Sequence, residues 1–305
     1  MDRALNLVDA IPYLRAYSGQ IFVVKAGGEI FGDARWRDAV TSEIATLHRL
    51  GIRVVLVHGG GPQLDLAAER AGLVSSVVAG RRITSPELLE LAIAEWRGRL
   101  STALVRALAA AGERAIGLSG ADAGVIRAIR RAPVEVVDDD GQKRVVDYGL
   151  VGDVVEVRTD ILRGVLELGA IPVLTPLAAG EGAEILNVNA DTVAAEVAVA
   201  LRAAKLVLLT RAPGILENPE DAASVLHWTD LEELGDLEKS GAIRGGMRPK
   251  VAAIRKALLG GVPRVHVVDG RRSGALLEEV FTTDGSGTLV VDEADDAPPE
   301  PLIHR

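Results

Sequence analysis

The sequence predicts an α/β fold with an open, mainly parallel β-sheet that is covered by helices on both faces. Three observations favour this fold: short apolar runs alternate with helical patterns, glycine-rich turns follow several of these runs, and 48% of the 305 residues are hydrophobic. Strands that alternate with helices along a chain form parallel sheets whose two faces are both buried. A chain of this length forms one large domain or two lobes around a sizeable core.

Composition restricts the class of partner. The formal net charge is -9 at pH 7, and only 3% of the residues are aromatic. An acidic chain with few rings for stacking is not expected to bind nucleic acid or anionic membranes. The absence of cysteine excludes disulfides and thiol catalysis, and we find no signal peptide and no apolar run long enough to span a membrane. We therefore expect a cytoplasmic protein with a small-molecule partner.

Residues 1–18 are predicted to form an amphipathic N-terminal helical extension. Its apolar residues recur at helical spacing, with Pro12 inside the stripe, and a proline removes a backbone donor and favours a kink. The stripe comprises Leu5, Val8, Ile11 and Leu14. Two interpretations stay open, namely a helix packed on its own domain or a contact between subunits of an oligomer.

Two strand–turn–helix units follow the extension. The apolar run 21–25 leads into Gly27 and Gly28, and the run 52–58 leads into the turn 59–62, which has glycine at its first three positions. Such turns lie at the carboxyl edge of an α/β sheet, where ligands bind. Tight packing of a helix on a strand explains a single glycine turn equally well.

A basic segment precedes a long helical region. Residues 80–84 read Gly-Arg-Arg-Ile-Thr, and a helical pattern runs from Pro86 to about residue 111. Proline and glutamate in the first turn are typical of a helix start. Arg81 and Arg82 are either a solvated pair or, beside the glycine turns, planar forks that bind a carboxylate.

The pattern changes between residues 125 and 157. After a predicted strand at 114–120, short β-segments flank the polar turn 138–141, which indicates antiparallel hairpins. We expect this β-hairpin flap to cover a ligand site. A helix at 159–168 and a strand at 171–175 then return the chain to the main sheet.

The stretch 186–201 is the most informative part of the chain. Asn187, Asn189 and Asp191 stand just before an apolar helical pattern. We predict that all three lie in the first turn of a helix, where free N–H groups favour bound anions. A single such residue is an ordinary N-cap. Three in five positions are more than a cap needs, so we expect chemistry here.

The last third of the chain continues the alternation of strands and helices. A loop at 211–216 follows the first of these strands, and Lys250 stands near a helix start. Strands are predicted at 205–210, 264–268 and 287–291, and helices at 231–240, up to 259 and from about 273. Residues 292–305 carry acids and three prolines, so we expect a disordered tail.

Lys25, Asp191 and Lys250 stand at these predicted sheet edges and helix starts. The chain has neither a G-x-G-x-x-G nor a G-x-x-x-x-G-K-[ST] pattern, so neither dinucleotide nor P-loop binding is supported. Its five histidines lack metal-ligand spacing, and we interpret His58 as a structural residue. Two lysines, one carboxylate and glycine turns suit phosphoryl transfer, which depends on positioning and charge neutralisation. If the acceptor is a carboxylate, it is already ionised at neutral pH, and Asp191 then orients the lysines instead of removing a proton.

Five segments, in this order along the chain, carry a resemblance to the amino-acid kinase family. They are residues 25–28 (Lys-Ala-Gly-Gly), 58–62 (His-Gly-Gly-Gly-Pro), 80–84 (Gly-Arg-Arg-Ile-Thr), 187–191 (Asn-Val-Asn-Ala-Asp) and 245–250 (Gly-Gly-Met-Arg-Pro-Lys). The resemblance runs from about residue 5 to residue 291, and it is specific when the segments are taken together. It is closest to members that phosphorylate the side-chain carboxylate of N-acetyl-L-glutamate to N-acetyl-L-glutamyl 5-phosphate in arginine biosynthesis.

This resemblance implies a role for each matching residue. Lys25 and Lys250 would stabilise the transferring phosphoryl group, and Asp191 would hold both lysines in place. The implied substrate-binding residues are Gly60, Gly61, Arg82, Asn187 and Asn189. The implied phosphate- and ATP-binding residues are Gly27, Gly28, Arg211, Gly214, Ile215, Leu216, Ile243 and Arg244. ATP and Mg2+ are the implied cofactors, with no residue assigned to the metal.

The resemblance also implies a three-layer αβα sandwich, as in carbamate kinase, with two lobes. Residues 19–186 would form the lobe that binds the acylated amino acid and mediates dimerisation, and residues 187–291 the lobe that binds ATP. The implied minimal assembly is a homodimer. The N-terminal extension resembles the interlocking helix of arginine-inhibited hexameric members, which implies a hexamer, although Gly274 stands where those members usually show histidine.

Two segments depart from the family pattern. Residues 210–214 read Thr-Arg-Ala-Pro-Gly where relatives commonly read Thr-Asp-Val-Asp-Gly, and residues 96–101 read Trp-Arg-Gly-Arg-Leu-Ser where they commonly carry Gly-Lys and then Asn. The first departure affects the nucleotide side, and the second affects the acyl-group pocket. Two alternatives therefore stay open: a kinase for succinylglutamate or a carrier-bound aminoadipate, and a metabolite sensor of the same fold without turnover.

Overall fold

A computed structural model describes residues 7–78, 81–137 and 143–293. Gly80, the predicted turn 138–141, the first six residues of the extension and the predicted tail from residue 294 onward lie outside these ranges. Within them, the predicted alternation of strands and helices is confirmed.

The secondary structure of the described residues consists of short strands and of helices of up to 16 residues. The strands are β1 (Ile21–Ala26), β2 (Arg53–His58), β3 (Val77–Val78), β4 (Arg81–Arg82), β5 (Ala115–Ser119), β6 (Ile126–Arg130), β7 (Val134–Val137), β8 (Lys143–Val146), β9 (Gly152–Val157), β10 (Ile171–Thr175), β11 (Leu177–Ala179), β12 (Ile185–Asn187), β13 (Lys205–Thr210), β14 (Trp228–Thr229), β15 (Val265–Asp269) and β16 (Thr288–Val290). The helices are α1 (Leu7–Tyr17), α2 (Gly28–Phe31), α3 (Ala34–Arg49), α4 (Gly61–Arg70), α5 (Pro86–Ala92), α6 (Ser101–Ala110), α7 (Thr159–Glu167), α8 (Ala190–Leu201), α9 (Leu231–Ser240), α10 (Met247–Leu259) and α11 (Ala275–Phe281). A π-helical segment (Ile93–Leu100) joins α5 to α6, and a 3₁₀ turn spans Asp122–Gly124.

The main sheet of the described residues has eight strands in the order β14-β16-β15-β13-β1-β2-β10-β5. Neighbouring strands are parallel except for β15 and β16, which are antiparallel. The prediction of an open, mainly parallel sheet is therefore confirmed. Strand β1 lies between β2 and β13, so that Lys25 is placed near the middle of the carboxyl edge, opposite Val57 and Leu208.

Helices cover both faces of this sheet. Successive residues of a strand point to opposite faces. Val23 packs into a buried cluster with residues of α8 and α10, whereas Phe22 and Val24 pack into a second cluster with residues of α3, α6 and α11. The predicted three-layer αβα sandwich is therefore confirmed.

Helix α1 packs on its own domain. Ala10 is buried, and Tyr13 and Tyr17 pack against the cluster that α3 and α11 form on the sheet. The Tyr13 hydroxyl lies 3.2 Å from Thr283 Oγ1. The first interpretation of the N-terminal extension is thus confirmed for its described side chains, whereas a contact between subunits stays a prediction.

The segment predicted as a flap consists of antiparallel strands. Strand β6 pairs with β9 in a sheet that also holds β11 and β12, and β7 pairs with β8. Tyr148, which lies between β8 and β9, is buried and donates its hydroxyl hydrogen to the Val78 carbonyl at 3.1 Å. The hairpins are therefore confirmed, and closure over a ligand stays a prediction.

One local prediction is wrong. Asn187 does not lie in the first turn of α8, because 185–187 is a strand that pairs antiparallel with β11 and places Asn187 opposite Leu177. Helix α8 begins only at Ala190. The helical region predicted from Pro86 to about residue 111 is confirmed, and its middle part, Ile93–Leu100, is π-helical. Apolar periodicity alone distinguishes neither a short strand before a helix nor a π-helical turn inside one.

Candidate active site

Strand β1 and helices α8 and α10 bring two lysines to one carboxylate. Lys25 stands near the carboxyl end of β1, and Asp191 and Lys250 stand in the first turns of α8 and α10. The Lys25 ammonium lies 2.7 Å from Asp191 Oδ1, and the Lys250 ammonium lies 3.1 Å from Oδ2. The structure thus brings together the three residues that the sequence singled out for charge neutralisation.

This cluster is almost closed to solvent, since Lys25 is 4% exposed and Asp191 is 5% exposed. Burial disfavours the charged form of an ionisable group. It lowers the pKa of Lys25, and the Asp191 carboxylate opposes that shift. Burial also opposes ionisation of Asp191, but the charges of Lys25 and Lys250 outweigh it and hold the pKa of Asp191 below its usual range. For Lys250, burial is outweighed by Asp191, which raises the lysine pKa.

The two glycine turns contact one another beside this cluster. Gly28 is the first residue of α2, and Gly60 precedes the first residue of α4. A Cβ atom on Gly28 would lie 2.8 Å from Gly60 Cα, and one on Gly59 would lie 3.5 Å from Gly27 Cα. A side chain at position 28 would therefore force the turns apart. Glycine is required here because two backbone segments approach closely.

A cavity of about 230 Å³ opens where the lysine cluster meets the glycine turns. The first turns of α4 and α8 border it, and the leading N–H groups of a helix have no partner within the helix. Asn189 caps α8 by accepting from the Asp191 and Thr192 N–H groups at 2.9 and 3.1 Å. The lining residues are Lys25, Gly27, Gly28, Glu29, Gly59, Gly60, Gly61, Pro62, Val77, Arg81, Arg82, Trp96, Val151, Pro176, Asn187, Val188, Asn189, Ala190, Asp191 and Lys250. Lysines and arginines outnumber carboxylates in this lining, so the cavity suits an anionic ligand.

The two arginines of β4 line this cavity and are partly buried, so they are not a freely solvated pair. Arg82 donates to both carboxylate oxygens of Asp65, with 3.0 Å to Oδ2, and also to the Ser75 hydroxyl. Burial lowers the pKa of Arg81, and the charge of nearby Arg131 adds to this shift. The Asp65 carboxylate thus fixes the orientation of the Arg82 guanidinium.

Asn187 stands at the end of β12 and is 8% exposed. Its Nδ2 donates to the Thr84 hydroxyl at 3.0 Å. Thr84 in turn bridges to Gly149, where φ is 70° and a Cβ atom would collide with the Thr84 carbonyl. Glycine is therefore required at position 149. This chain of contacts ties Asn187 to the segments before α5 and before β9.

Among the residues predicted to bind phosphate or ATP, Gly27 and Gly28 line the cavity. The others, Arg211, Gly214, Ile215, Leu216, Ile243 and Arg244, are not part of this described lining. Ile215 and Ile243 are buried, and the Ile215 N–H donates to the Thr288 hydroxyl at 2.8 Å. The Arg244 guanidinium lies 3.9 Å from Glu220. These residues therefore occupy loops after β13 and before α10 and make packing and surface contacts there.

Sequence reasoning missed three residues at the glycine turns. Trp96, in the π-helical segment, is 4% exposed and donates its indole N–H to the Gly60 carbonyl at 2.7 Å. Gln63 donates from Nε2 to the Gly28 carbonyl at 2.7 Å, and Glu29 lines the cavity beside Gly27. The available signal for Trp96 is that 96–101 departs from the family pattern. For Gln63 and Glu29, it is their position directly after a glycine turn.

His58 has a structural environment, as its position in the sequence predicted. It is buried, and its Nε2 lies 2.9 Å from Thr175 Oγ1. Burial lowers the pKa of His58 to about 4. The imidazole is therefore neutral at pH 7 and takes no part in charge neutralisation.

Metal and membrane features were sought throughout the described ranges. No group of three or more His, Cys, Asp or Glu side chains in residues 7–78, 81–137 and 143–293 is arranged to hold a metal ion. None of the helices described for this chain combines the length and the apolar character that a bilayer span requires.

The fold and the lysine–carboxylate cluster define a class of protein. An αβα sandwich that places two ammonium groups, a carboxylate and two glycine turns at one sheet edge is suited to phosphoryl transfer, because that reaction requires charge neutralisation around a positioned phosphate. Residues 20–269 match the model of the amino acid kinase family. The chain belongs to this family, and the resemblance seen in the sequence is confirmed.

Close relatives in sequence cover nearly the whole chain. The acetylglutamate kinase of Myxococcus xanthus is 47% identical over 93% of this chain and 92% of its own length. The acetylglutamate kinase of Desulfitobacterium hafniense is 41% identical over 95% of this chain and 97% of its own length. That of Methanothermobacter thermautotrophicus is 38% identical over 94% of this chain and 98% of its own length.

Solved structures agree on the fold. N-acetylglutamate synthase from Neisseria gonorrhoeae, complexed with coenzyme A and N-acetyl-glutamate, matches with a TM-score of 0.80 and 28% identity over 94% of this chain. The chain spans 63% of the length of that synthase chain. Carbamate kinase from Giardia lamblia, bound to AMP-PNP, matches with a TM-score of 0.63 and 18% identity over 91% of this chain and 100% of its own; at this identity it supports the fold alone.

Proposed function

We propose that this chain catalyses the ATP-dependent phosphorylation of the side-chain carboxylate of N-acetyl-L-glutamate, which gives N-acetyl-L-glutamyl 5-phosphate in arginine biosynthesis. The observation that carries the proposal is the convergence of Lys25 and Lys250 on Asp191, at 2.7 and 3.1 Å, beside two touching glycine turns. The acetylglutamate kinases that align with nearly the full chain support the choice of acceptor.

The two lysines act on charge rather than as acids or bases. Phosphoryl transfer spreads negative charge over the oxygens of the moving group. In a buried site, two ammonium groups stabilise that charge more strongly than they would in water. Asp191 holds both ammonium groups in register and, because its pKa is lowered, keeps its charge at neutral pH. The acceptor carboxylate is already ionised, so no general base is required.

The acceptor side of the site is built from Gly60, Gly61, Arg82, Asn187 and Asn189, all of which line the cavity. The Arg82 guanidinium would bind a carboxylate of the acceptor while it keeps its hydrogen bonds to Asp65. Asn187 is oriented by its hydrogen bond to Thr84. The free N–H groups of the first helical turns would contact the acceptor and the moving phosphoryl group.

The nucleotide side comprises Gly27 and Gly28 at the cavity and, in the C-terminal lobe, Arg211, Gly214, Ile215, Leu216, Ile243 and Arg244. Mg2+ fits as an ion carried by the phosphates, because no cage of three metal-ligating side chains occurs among the described residues and Mg2+ usually binds substrate phosphates with few protein ligands. Glu29 and Asp191 are the carboxylates of the lining that would face it. When bound, Mg2+ supplies further charge neutralisation.

The proposal extends to organisation and assembly. Residues 19–186 form the acceptor lobe and residues 187–291 the ATP lobe, with the hairpin strands β6 to β9 closing over the acceptor. The chain works in the cytoplasm as a homodimer, or as a hexamer through α1. Sedimentation of the full chain and of a chain lacking residues 1–18 distinguishes these assemblies, since loss of the extension would convert a hexamer to a dimer.

An assay of ADP release tests the function. The chain is incubated with ATP, Mg2+ and one acceptor at a time: N-acetyl-L-glutamate, succinylglutamate, a carrier-bound aminoadipate or aspartate. We expect turnover to be fastest with N-acetyl-L-glutamate. A preference for another acylated acceptor would reassign the substrate, and absence of turnover with all of them would favour the metabolite sensor.

A further inference from the structure

The Gly60 carbonyl is held by a side chain from a distant part of the sequence. The Trp96 indole N–H donates to it at 2.7 Å, and the Leu64 N–H donates to the same oxygen at 3.0 Å. Trp96 is 4% exposed and packs among Leu64, Leu88 and neighbouring residues of α4 and α5. The ring is therefore fixed on one side by a core and on the other by the glycine turn.

This hydrogen bond determines where the next N–H group points. The Gly60 carbonyl and the Gly61 N–H belong to one planar trans peptide, so they point in opposite directions. With the carbonyl held towards Trp96, the Gly61 N–H points away from the ring. It belongs to the first turn of α4, where helix N–H groups lack intrahelical acceptors, and Gly61 lines the cavity with Lys25 and Lys250.

Two features show that the contact is built into the fold. A Cβ atom on Gly60 would collide with the Trp96 ring, so the ring in this position requires glycine at 60. Trp96 also lies in the π-helical segment Ile93–Leu100, and such insertions shift the direction of the side chains they carry and recur at functional sites. The opposite turn has an equivalent contact, in which Gln63 holds the Gly28 carbonyl at 2.7 Å.

We propose that Trp96 is a positioning residue: its indole N–H fixes the Gly60–Gly61 peptide so that the Gly61 N–H is aimed at the phosphoryl group in transfer. The role of the Gly61 N–H rests on the proposed kinase function. Trp96 itself acts through the peptide and not by contact with the moving group. A positioned donor of this kind is useful because it needs no reorganisation when charge develops.

The test compares Trp96→Phe with Trp36→Phe. Phenylalanine removes the indole N–H and keeps an aromatic ring. Trp36, in α3, is partly buried against a different core cluster and does not line the cavity. Removing an oriented donor outright costs about 10²–10³ in kcat, so misorienting one is expected to lower kcat about tenfold. The KM for the acceptor should rise by less than kcat falls, because Arg82, Asn187 and Asn189 still line the cavity and bind the acceptor in the ground state. Trp36→Phe should leave kcat unchanged.

A second measurement does not require turnover. The affinity for ADP with aluminium fluoride, which mimics the phosphoryl group in transfer, should fall about tenfold in Trp96→Phe, whereas the affinity for ADP alone should be unchanged. If the wild-type chain turned over no acceptor, the proposed function would fail, but the ratio of these two affinities would still decide the role of Trp96. Equal loss of both affinities, or loss of neither, would overturn the proposal.

A third variant separates loss of the hydrogen bond from loss of packing. Replacing Trp96 by its benzothiophene analogue changes only the ring N–H to sulfur, so packing against Leu64 and Leu88 is retained. This protein should unfold at the wild-type urea concentration and yet reproduce the loss of kcat seen with Trp96→Phe. A wild-type kcat in the analogue would show that ring shape, and not the hydrogen bond, is what matters.

Discussion

Two buried lysines of this chain lie in opposite electrostatic settings. Lys25 lies 2.7 Å from the carboxylate of Asp191, in the cavity at the carboxyl edge of the sheet. Lys205 lies 2.8 Å from the Nε2 of His266, whose Nδ1 lies 2.7 Å from Glu279. In the first cluster a carboxylate lies between two ammonium groups. In the second an imidazole separates the ammonium group from the carboxylate.

The difference shows what keeps a buried lysine charged. Burial lowers the pKa of Lys205 to about 7, and the nearby Arg264 adds to this shift. Burial also lowers the pKa of His266 to about 4, so its ring is neutral at pH 7. The Glu279 charge acts on Lys205 only from beyond this ring, and it raises the lysine pKa by less than burial lowers it. Lys250, in contrast, has a raised pKa because Asp191 outweighs burial. Direct contact with the Asp191 carboxylate thus opposes the effect of burial on both lysines of the first cluster, and at Lys250 it outweighs that effect. At Lys205 a neutral ring stands in place of such a contact.

The largest effect is expected from Asp191→Asn, which removes the carboxylate from the first cluster. Two buried ammonium groups would then face each other without a counter-charge. Breaking such a buried pair costs about 3–5 kcal/mol, and we expect kcat to fall by about 10³-fold because the lysines lose their alignment. Urea unfolding and steady-state kinetics measure the two effects. The control is Asp160→Asn, at a surface carboxylate paired with Arg158, which should change neither the unfolding free energy nor kcat. Retention of kcat in Asp191→Asn would contradict the proposed mechanism.

The second prediction separates catalysis from stability at Lys25. In Lys25→Met, Asp191 keeps its contact with Lys250 at 3.1 Å, so no buried charge is left alone. We expect kcat to fall about 10²–10³-fold, whereas the free energy of unfolding changes by less than in Asp191→Asn. Because burial lowers the pKa of Lys25, wild-type activity should decline as pH rises through that lowered value. That alkaline decline should be missing in the variant. Lys256→Met, which removes a surface lysine of the same helix as Lys250, should behave as wild type.

Glu279→Gln tests the second cluster, where the carboxylate also accepts from the Ser286 and Gly287 N–H groups at 2.5 and 2.8 Å. These contacts and His266 outweigh burial and lower the pKa of Glu279 to about 2. A folded pKa below the unfolded one gives stability that is present above pH 4.5 and is lost as pH falls towards 2. We expect the variant to lose about 2–3 kcal/mol at pH 7 and to lack the stability change between pH 4.5 and 2.

The control for this variant is Glu135→Gln, which breaks an exposed pair with Lys143 and should change stability by less than about 1 kcal/mol. Both variants should keep the wild-type kcat at pH 7, because neither carboxylate lines the cavity. An unfolding free energy of Glu279→Gln equal to that of wild type would show that the buried network does not stabilise the fold.

The first cluster could be predicted from the sequence, and the second could not. Lys25, Asp191 and Lys250 stand where a strand ends or a helix begins, and parallel strands bring such positions to one edge. Lys205 is the first residue of β13, His266 is the second residue of β15, and Glu279 lies inside α11. A polar residue at the amino end of a strand or inside a helix indicates nothing about its partner, since the partner depends on the pairing of β13 with β15 and on which helix covers them.

The errors at the site have the same physical origin. Asn187 was predicted to lie in a helix, because the short hairpin of β11 and β12 leaves no periodic signal in three-residue strands. Trp96 reaches Gly60 only through the packing of α5 on α4 and through a π-helical segment that periodicity does not mark. Local sequence indicates the approximate bounds of an element, whereas short strands and the contacts between elements depend on the completed fold.

The finest test of the comparison is the pH dependence of Lys205→Met. Because the pKa of Lys205 is about 7 when folded and 10.5 when unfolded, the unfolded chain binds more protons between these values. Wild-type stability should therefore rise with pH relative to the variant, by at most about 1.4 kcal/mol per pH unit. Urea unfolding at pH 7, 8 and 9 measures this slope. Lys239→Met should show no such slope, because Asp236 raises the pKa of that exposed lysine and it stays protonated in both states. If the stability difference between wild type and Lys205→Met also did not change with pH, Lys205, like Lys250, would keep its charge in the folded chain.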